Sequence, residues 1–339
     1  MSGKKQAARR KKQNRVLKTV VIVLLIILML SIAVSGAFFY LFGNLNTVSF
    51  TNDDEELGVR EEVSVGGITN IALFGVDTRN TGEDSGRSDT IIILTLDQDK
   101  NIIKMTSILR DSKVPVDGHG ETKINAAYAY GGPTLAIKTL NETFDLDIKE
   151  YITVNFSQLA TIINAVGGVT LTLSQAEVDM ANSITAQYFP SAATISSTGG
   201  EITLTGEQAV SYSRIRKLDS DNARATRQQK VLSAAFGKIQ SMSKTDYPSF
   251  IRQFLGTAET SLSYSEILAL SPIALTDFSI EQYTVPDAAY ETDLWGGIDS
   301  DGVWYYIYNL DEAAKRIHTA IYGDDAFTGA TGESTSGTE

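Results

Sequence analysis

One stretch of this chain, residues 19–42, constrains its fold more than any other. It holds 24 residues without a single charged side chain and is rich in Val, Ile, Leu and Phe. As a helix rising about 1.5 Å per residue it would extend about 36 Å, enough to cross a bilayer with some tilt. A buried core helix and a cleaved signal peptide are the alternatives, but signal peptides usually have apolar stretches of only about 7–15 residues. The stretch therefore predicts a retained transmembrane signal-anchor helix.

Charged residues are divided unevenly on either side of this stretch. The chain has 29 basic and 41 acidic side chains and a net charge of −12, but residues 1–18 contain eight basic residues and no acid. The rest of the chain, with 21 basic and 41 acidic residues, has a net charge of −20. Because basic flanks of membrane helices stay in the cytoplasm, we expect a single-pass cell-membrane protein with a cytoplasmic N-terminus and an extracellular C-terminal portion. So acidic a portion argues against a nucleic-acid partner.

Composition divides the extracellular portion into three parts. Residues 43–66 are polar and acidic and predict a stalk, residues 67–327 predict one domain, and residues 328–339 lack large apolar side chains and predict a disordered tail. The sequence has no cysteine, which excludes disulfides, thiol chemistry and cysteine-ligated zinc. An exported domain without cysteine is typical of a Gram-positive cell surface.

Apolar runs and turn residues predict alternating strands and helices within the domain. Strands are expected at 70–76, 90–96, 102–106, 151–154, 169–173 and 278–285, and helices at 133–144, 156–165, 222–243 and 311–322, with another helix opening at 205–208. The strands at 90–96 and 102–106 flank a short polar turn and predict a hairpin. Interleaved elements with one hairpin predict an α/β fold with a central mixed β-sheet flanked by helices.

Acidic and basic residues stand at the ends of several predicted strands. Asp77 directly follows one strand and Asp89 precedes the next, so the two carboxylates are expected at adjacent strand ends. Such a pair can bind a divalent cation that takes its other ligands from phosphate oxygens. Alternatively, both acids cap turns. Arg110 and Asp111 follow a third strand, where such a pair is often only a surface ion pair.

Four arginines within 14 residues form the densest cluster of positive charge. Arg214 and Arg216 would point to one face of an extended chain, and Arg224, Arg227 and Gln228 share one face of a helix. Guanidinium groups bind phosphate oxygens in pairs, so the cluster predicts a phosphate or pyrophosphate site. A solvated, charged helix end is the alternative.

Standard catalytic signatures are missing from the sequence. It contains no P-loop, no His-Glu-x-x-His and no Gly-x-Ser-x-Gly motif. Its two histidines, His119 and His318, are expected at the surface, so histidine-based acid–base or metal chemistry is not expected.

The chain resembles the LytR-CpsA-Psr family of Gram-positive cell-wall enzymes, through blocks that are specific in their order and spacing. The blocks are Phe74–Asp77, Gly86–Thr90, Ser107–Asp111, Lys123–Tyr128, Gly167–Val169, Leu204–Ala209, Tyr212–Arg216 and Arg224–Gln229. The short basic N-terminus followed by one membrane helix is also similar to the family.

The resemblance implies an enzyme that transfers a polyprenyl-pyrophosphate-linked anionic glycopolymer (teichoic acid, capsular or another wall polysaccharide) to peptidoglycan through a phosphodiester bond. It implies Mg²⁺ or Mn²⁺ bound by Asp77 and Asp89, and a hydrophobic tunnel for the polyprenyl chain. The implied pyrophosphate site consists of Arg87, Arg110, Lys123, Arg214, Arg216, Arg224, Arg227 and Gln228. Arg110, together with Asp111, and Asp89 are the candidates for catalysis, and the general base stays open.

Two other functions remain open at this point. The same site could use water as the nucleophile and hydrolyse polyprenyl pyrophosphate. The domain could also be a non-enzymatic, lipid-binding regulator of the cell envelope, although its 18-residue cytoplasmic tail is too short for a DNA-binding domain.

Overall fold

The computed structural model describes residues 48, 50–51, 53–59, 66–76, 86–216, 218, 221–243, 245–263, 265–267, 269–270 and 278–323. Four predictions concern residues outside this set: the basic segment at 1–18, the apolar stretch at 19–42, Asp77 and the tail at 328–339. Within the described ranges, no helix combines the length and the apolar character needed to cross a membrane.

Strands and helices alternate along the described chain. The strands are β1 (Ile68–Val76), β2 (Ser88–Asp97), β3 (Ile102–Ile108), β4 (Lys113–Val116), β5 (Gly120–Lys123), β6 (Glu150–Asn155), β7 (Val169–Leu173), β8 (Gly200–Leu204), β9 (Glu259–Thr260), β10 (Ser279–Val285), β11 (Trp295–Ile298) and β12 (Trp304–Ile307). The helices include α1 (Ile124–Phe144), α2 (Phe156–Ala165), α3 (Gln175–Tyr188), α4 (Gly206–Ser213), α5 (Asp221–Ser241), α6 (Tyr247–Thr257) and α7 (Leu310–Tyr322).

A six-stranded mixed sheet in the order β10-β3-β2-β1-β6-β9 forms the centre of the domain. Strand β1 is antiparallel to β2 and parallel to β6, while β3 is antiparallel to β2 and parallel to β10. The predicted hairpin is therefore β2–β3, in which Ile91 lies opposite Ile108. The prediction of an α/β fold with a central mixed sheet is confirmed.

Helices cover both faces of this sheet, because side chains along a strand alternate between its faces. Phe74 of β1 and Ile91 of β2 pack with residues of α1 and α7 on one face. Ile71 and Ile92 point to the opposite face of the sheet, where they pack with residues of α2, α5 and α6. Strand β2 is buried on both sides, which explains why its sequence is a nearly continuous apolar run.

Capping boxes fix the starts of two helices near the candidate site. At the start of α2 the Asn155 side chain accepts a hydrogen bond from the Gln158 backbone N–H, and the Gln158 side chain accepts one from the Asn155 backbone N–H. Thr205 and Gln208 form the same arrangement at the start of α4. Helix α2 has the predicted bounds, and α4 begins where a helix start was predicted.

Helix α1 begins earlier than predicted. The prediction started a helix at Pro133, whereas the structure has helix from Ile124 with a break at Gly131 and Gly132. Gly132 has a φ of 62°, which glycine tolerates and which separates the two helical segments. Pro133 therefore starts the second segment of a longer helix.

Two further expectations differ from the structure. His318 was expected at the surface, which is wrong: it is 5% exposed and donates from Nε2 to the Asp145 carbonyl oxygen, because it lies on the inner face of α7. His119 is exposed, as expected, and stacks on the ring of Tyr130. The predicted stalk at 43–66 also contributes to the domain, since Leu57 is fully buried in the core and its carbonyl accepts from Asn141. The folded domain thus begins before residue 67.

Candidate functional site

The start of β2 and the end of β3 form the floor of a polar cluster. Because these strands are antiparallel with Ile91 opposite Ile108, residues just before and just after them lie side by side. Asp89, near the start of β2, accepts from Arg110, which follows β3, with 2.6 Å between Oδ1 and Nη1. Asp89 and Arg110, two candidate site residues predicted separately, therefore form one ion pair.

Asp89 also bonds to a third segment of the chain. Arg216, in the connection after α4, donates from Nη2 to Asp89 Oδ2 over 3.0 Å. Burial would raise the pKa of Asp89, but the charges of Arg110, Arg224 and Arg216, together with the Arg110 hydrogen bond, lower it below its ordinary value. The carboxylate is therefore ionised at neutral pH and holds two guanidinium groups in place.

A second carboxylate, Asp111, continues the cluster toward β5. Arg110 donates from Nε to Asp111 Oδ2 over 3.2 Å, and Lys123 Nζ lies 2.7 Å from Asp111 Oδ1. Lys123 is the last residue of β5 and directly precedes α1. Arg110 thus bridges two carboxylates and has little freedom to turn away from the site.

Helix α5 closes the cluster into a small cleft. The lining residues are Asp89, Thr90, Ile91, Ser107, Ile108, Leu109, Arg110, Asp111, Arg224, Gln228 and Tyr306. Arg224 is 4% exposed, so its guanidinium group is largely removed from bulk water. The structure therefore brings together Asp89, Arg110, Arg224 and Gln228 around one cleft, with Arg216 and Lys123 at its carboxylates.

Arg214 has a different environment from Arg216. The expectation of an extended chain at these two residues is wrong for Arg214, whose φ of −93° and ψ of −2° end helix α4. Its guanidinium carbon lies 3.9 Å from the ring centroid of Phe156 and 4.1 Å from that of Tyr188. Two aromatic rings thus hold the planar cation in a fixed orientation.

Arg227 and Arg87 complete the predicted set. Arg227 donates from Nε to Glu177 Oε1 over 3.1 Å and from Nη1 to the Ile215 carbonyl, which joins α5 to α3 and to the segment after α4. Arg87 is exposed immediately before β2.

Two residues near the site were not predicted. Gln229 is buried and donates from Nε2 to Ser107 Oγ and Thr284 Oγ1 over 3.0 and 2.9 Å, which fixes α5 against β3 and β10. Its place in the block Arg224–Gln229 was a usable signal. Tyr306 lines the cleft and donates its N–H to the Asp111 carbonyl, but it stands in an apolar strand that gives no such signal.

The charges of the cluster suit a doubly charged anion. Arg110, Arg216, Arg224 and Lys123 provide four cations against the carboxylates of Asp89 and Asp111. Fixed guanidinium groups can donate in pairs to phosphate oxygens, and a local positive excess in an acidic domain attracts anions. In the described part of the chain, no group of three or more His, Cys, Asp or Glu residues could hold a metal ion by itself.

Comparisons with known proteins identify the family and relatives of the chain. The model of the LytR_cpsA_psr family matches residues 38–320. The chain is 32% identical to the polyisoprenyl-teichoic acid–peptidoglycan teichoic acid transferase TagU of Oceanobacillus iheyensis, over 87% of this chain and 91% of that protein.

Solved structures have the same fold. A structure of TagT bound to LI-WTA is 26% identical, with a TM-score of 0.63, and covers 81% of this chain and 99% of its own. A LytR-CPS2A-psr family protein, YwtF (TagT), with bound octaprenyl pyrophosphate lipid is 26% identical, with a TM-score of 0.59 and the same coverage. The chain belongs to the LytR-CpsA-Psr family.

Proposed function

We propose that this protein transfers a polyprenyl-pyrophosphate-linked anionic glycopolymer, such as teichoic acid or another wall polysaccharide, to peptidoglycan. The observation that carries the proposal is the cleft in which Asp89 and Asp111 fix the guanidinium groups of Arg110 and Arg216 beside Arg224. The relative TagU is named for this reaction. A related structure holds a polyprenyl pyrophosphate lipid.

The reaction needs positioning and charge neutralisation more than covalent help from the protein. A hydroxyl oxygen of the acceptor attacks the phosphorus that carries the glycopolymer, and the bond from that phosphorus to the bridging oxygen breaks. Polyprenyl phosphate leaves with the electron pair, and the hydroxyl proton passes to the leaving phosphate or to water. Arg110, Arg216 and Arg224 would donate to the pyrophosphate oxygens and stabilise the negative charge that moves to the leaving group. The lowered pKa of Asp89 makes it a weak base, so its main role is to position Arg110 and Arg216.

A divalent cation is compatible with the carboxylate of Asp89. An ionised carboxylate offers about four lone-pair sites, and Asp89 uses one at each oxygen for an arginine. Mg²⁺ or Mn²⁺ commonly takes one or two protein carboxylates and completes its shell with phosphate oxygens and water. Asp89 would hold the ion together with Asp77, and the ion would supply further positive charge against the pyrophosphate.

We place the domain on the outer face of the cell membrane, anchored by residues 19–42. A lipid-linked donor lies in the membrane, and a tether confines the site to the same surface, which raises the effective concentration of donor. Protease treatment of intact cells should remove the domain and leave the basic N-terminus protected. Protection of the domain in intact cells would refute this topology.

The transfer reaction can be tested with full-length protein in detergent micelles, lipid-linked donor and peptidoglycan. Arg110→Ala and Arg224→Ala should each lower the coupling rate about 10²-fold, as expected for loss of a charge-stabilising donor. Lys230→Ala, which removes an exposed cation from the same helix as Arg224, is the matched control and should retain the wild-type rate. Unchanged coupling in both arginine variants, or release of polyprenyl phosphate at a rate independent of acceptor, would overturn the proposal.

A further inference from the structure

A small β-ribbon, β11–β12, borders the candidate site and carries exposed aromatic surface. The Tyr306 N–H of β12 donates to the Asp111 carbonyl over 2.9 Å, and Ser112 forms an isolated β-bridge with Tyr306. Trp295, which pairs with Ile307 next to Tyr306, is 44% exposed. An exposed aromatic ring beside a candidate site offers a contact surface to a ligand.

One face of the ribbon carries Trp295, Gly297, Tyr305 and Ile307. Residues directly opposite each other in an antiparallel pair share a face, and Trp295 lies opposite Ile307 while Gly297 lies opposite Tyr305. The ring centroid of Tyr305 lies 5.5 Å from Lys113 Nζ and 6.0 Å from Lys123 Nζ. Lys123 in turn contacts Asp111, the partner of Arg110. Tyr305, which is buried, and Lys123 therefore link the ribbon beside Trp295 to the guanidinium cluster.

The indole of Trp295 lies flat over Gly297. A Cβ atom built on Gly297 would come within 2.5 Å of Cζ2 of Trp295, so only glycine leaves room for this ring position. A flat, exposed aromatic ring supported from below offers its π-face to a ligand. The C–H face of a sugar ring packs well on such a surface through dispersion and weak polar contacts.

Charges around this face distinguish between the two sugar polymers of the reaction. Lys113 is paired with Asp299 and Glu121, and the Tyr305 hydroxyl donates to Asp301. Lys123, which also lies beside Tyr305, is paired with Asp111, so four carboxylates stand against two paired lysines here and a phosphate-rich polymer would be repelled. The backbone of a peptidoglycan glycan strand is uncharged and fits.

We propose that the exposed indole of Trp295, held over Gly297 on the β11–β12 ribbon, binds the acceptor glycan strand and directs its hydroxyl to the cleft. This inference rests on the transferase function proposed above. It adds a saccharide subsite to that function and names Trp295 as the residue that carries it.

Coupling kinetics of the full-length protein in micelles test the subsite. Trp295→Ala should raise the KM for peptidoglycan about tenfold, as expected for the loss of an aromatic anchor, and leave the KM for the lipid-linked donor within about twofold. Gly297→Ala should act in the same direction, because it displaces the indole without removing it. Trp295→Phe should restore most of the affinity, and Ile298→Ala, on the opposite face of the ribbon, is the control.

Tryptophan fluorescence gives a readout that does not depend on turnover. The chain contains two tryptophans, Trp295 and Trp304. Titration with muramidase-released peptidoglycan fragments should change the emission of wild-type protein and of Trp304→Phe, but not of Trp295→Phe. A soluble glycerol phosphate polymer should cause no such change.

The outcomes separate this inference from the proposed function. If wild-type protein couples polymer and Trp295→Ala has an unchanged acceptor KM, the subsite is refuted and the transferase stands. A fluorescence response to the phosphate polymer but not to peptidoglycan fragments also refutes it. If coupling fails altogether while the Trp295-dependent response to fragments persists, the transferase is refuted and the glycan subsite stands.

Discussion

Asp89 joins two guanidinium groups from distant parts of the chain through its two carboxylate oxygens. Asn at this position is similar in shape, but it has no charge and would turn an amide N–H₂ toward one of the arginines. We therefore expect Asp89→Asn to lower coupling about 10²-fold and to weaken Mn²⁺ binding measured by electron paramagnetic resonance. Asp179→Asn, at an exposed position of α3, should change neither quantity. Normal Mn²⁺ binding by Asp89→Asn would remove this residue from the metal site.

Glu150, at the start of β6, should make stability depend on pH. Burial raises its pKa to about 7, the Ser261 hydrogen bond opposes this effect, and the neighbouring Glu266 adds to it. Because the folded pKa exceeds the unfolded one, the contribution of Glu150 to stability is full below about pH 4.3 and is lost as pH rises to about 7. Glu150→Gln should therefore raise Tm by about 2–4 °C at pH 8 and change it little at pH 4.

Thermal unfolding monitored by circular dichroism at both pH values checks this expectation. Glu201→Gln, at an exposed position of β8, is the control and should leave both Tm values unchanged. An equal shift at pH 4 and pH 8 in Glu150→Gln would show that ionisation of Glu150 is not the cause.

The contacts of some residues could be predicted from the sequence, and those of others could not. The pairing of Asp89 with Arg110 follows from the hairpin, because both flank strands whose register the apolar pattern fixes. The contact of Arg227 with Glu177 depends on where α3 packs, which local sequence does not encode. His318 could have been placed correctly, since Ala314, Ile317, His318 and Ile321 follow the i, i+3, i+4, i+7 pattern of a buried helix face.

At the scale of elements, the close crossing of α2 and α4 sets the position of Arg214. A Cβ atom on Gly206 would lie 1.9 Å from the Ala160 carbonyl oxygen, so Gly206→Ala must push the two helices apart. We expect a loss of about 1–3 kcal/mol in the free energy of unfolding, measured by urea denaturation. Gly237→Ala, on α5 with nothing near its Cβ position, should instead be neutral or stabilising. Equal effects of the two substitutions would contradict this account.

The rings on α2 and α3 should act through the arginine between them. Replacing Phe156 or Tyr188 by Leu removes one face of the stack on Arg214, and we expect the donor KM to rise about threefold to tenfold. A double-mutant cycle with Arg214→Ala is the measurement, because residues acting through one group show strong coupling. Additive effects of Phe156→Leu and Arg214→Ala would show that the ring does not act through the arginine.

Elements with strong patterns were predictable and short ones were not. Helix α2 has a capping box and an apolar face, and its predicted bounds agree with the structure. Strands β11 and β12 have four residues each, and the Gly296-Gly297 pair weakens the β11 signal. These strands contact β4 and Asp111, and the local sequence does not predict those contacts.

At the scale of the whole molecule, we expect the domain to fold without the proposed membrane anchor. The described residues fall in one compact unit that begins at Asn46, after the apolar stretch. Deletion of residues 1–42 should therefore leave Tm within about 2 °C of the full-length value. Coupling from a donor embedded in vesicles should fall at low donor density, because the tether is lost, whereas coupling from a short-chain soluble donor should not. Equal losses with both donors would show that the deletion damages the site itself.

The order in which a ribosome releases the chain adds a consequence of the Asp89–Arg216 pair. These two residues are 127 positions apart. Strand β3, at the floor of the cluster, pairs with β10, which is synthesised after α6. Pairings between distant segments form late, since the chain must first close a long loop. A nascent chain therefore displays Asp89 and Arg110 long before it can complete the guanidinium cluster. Incomplete translation products that end before Arg216 lack the assembled guanidinium cluster.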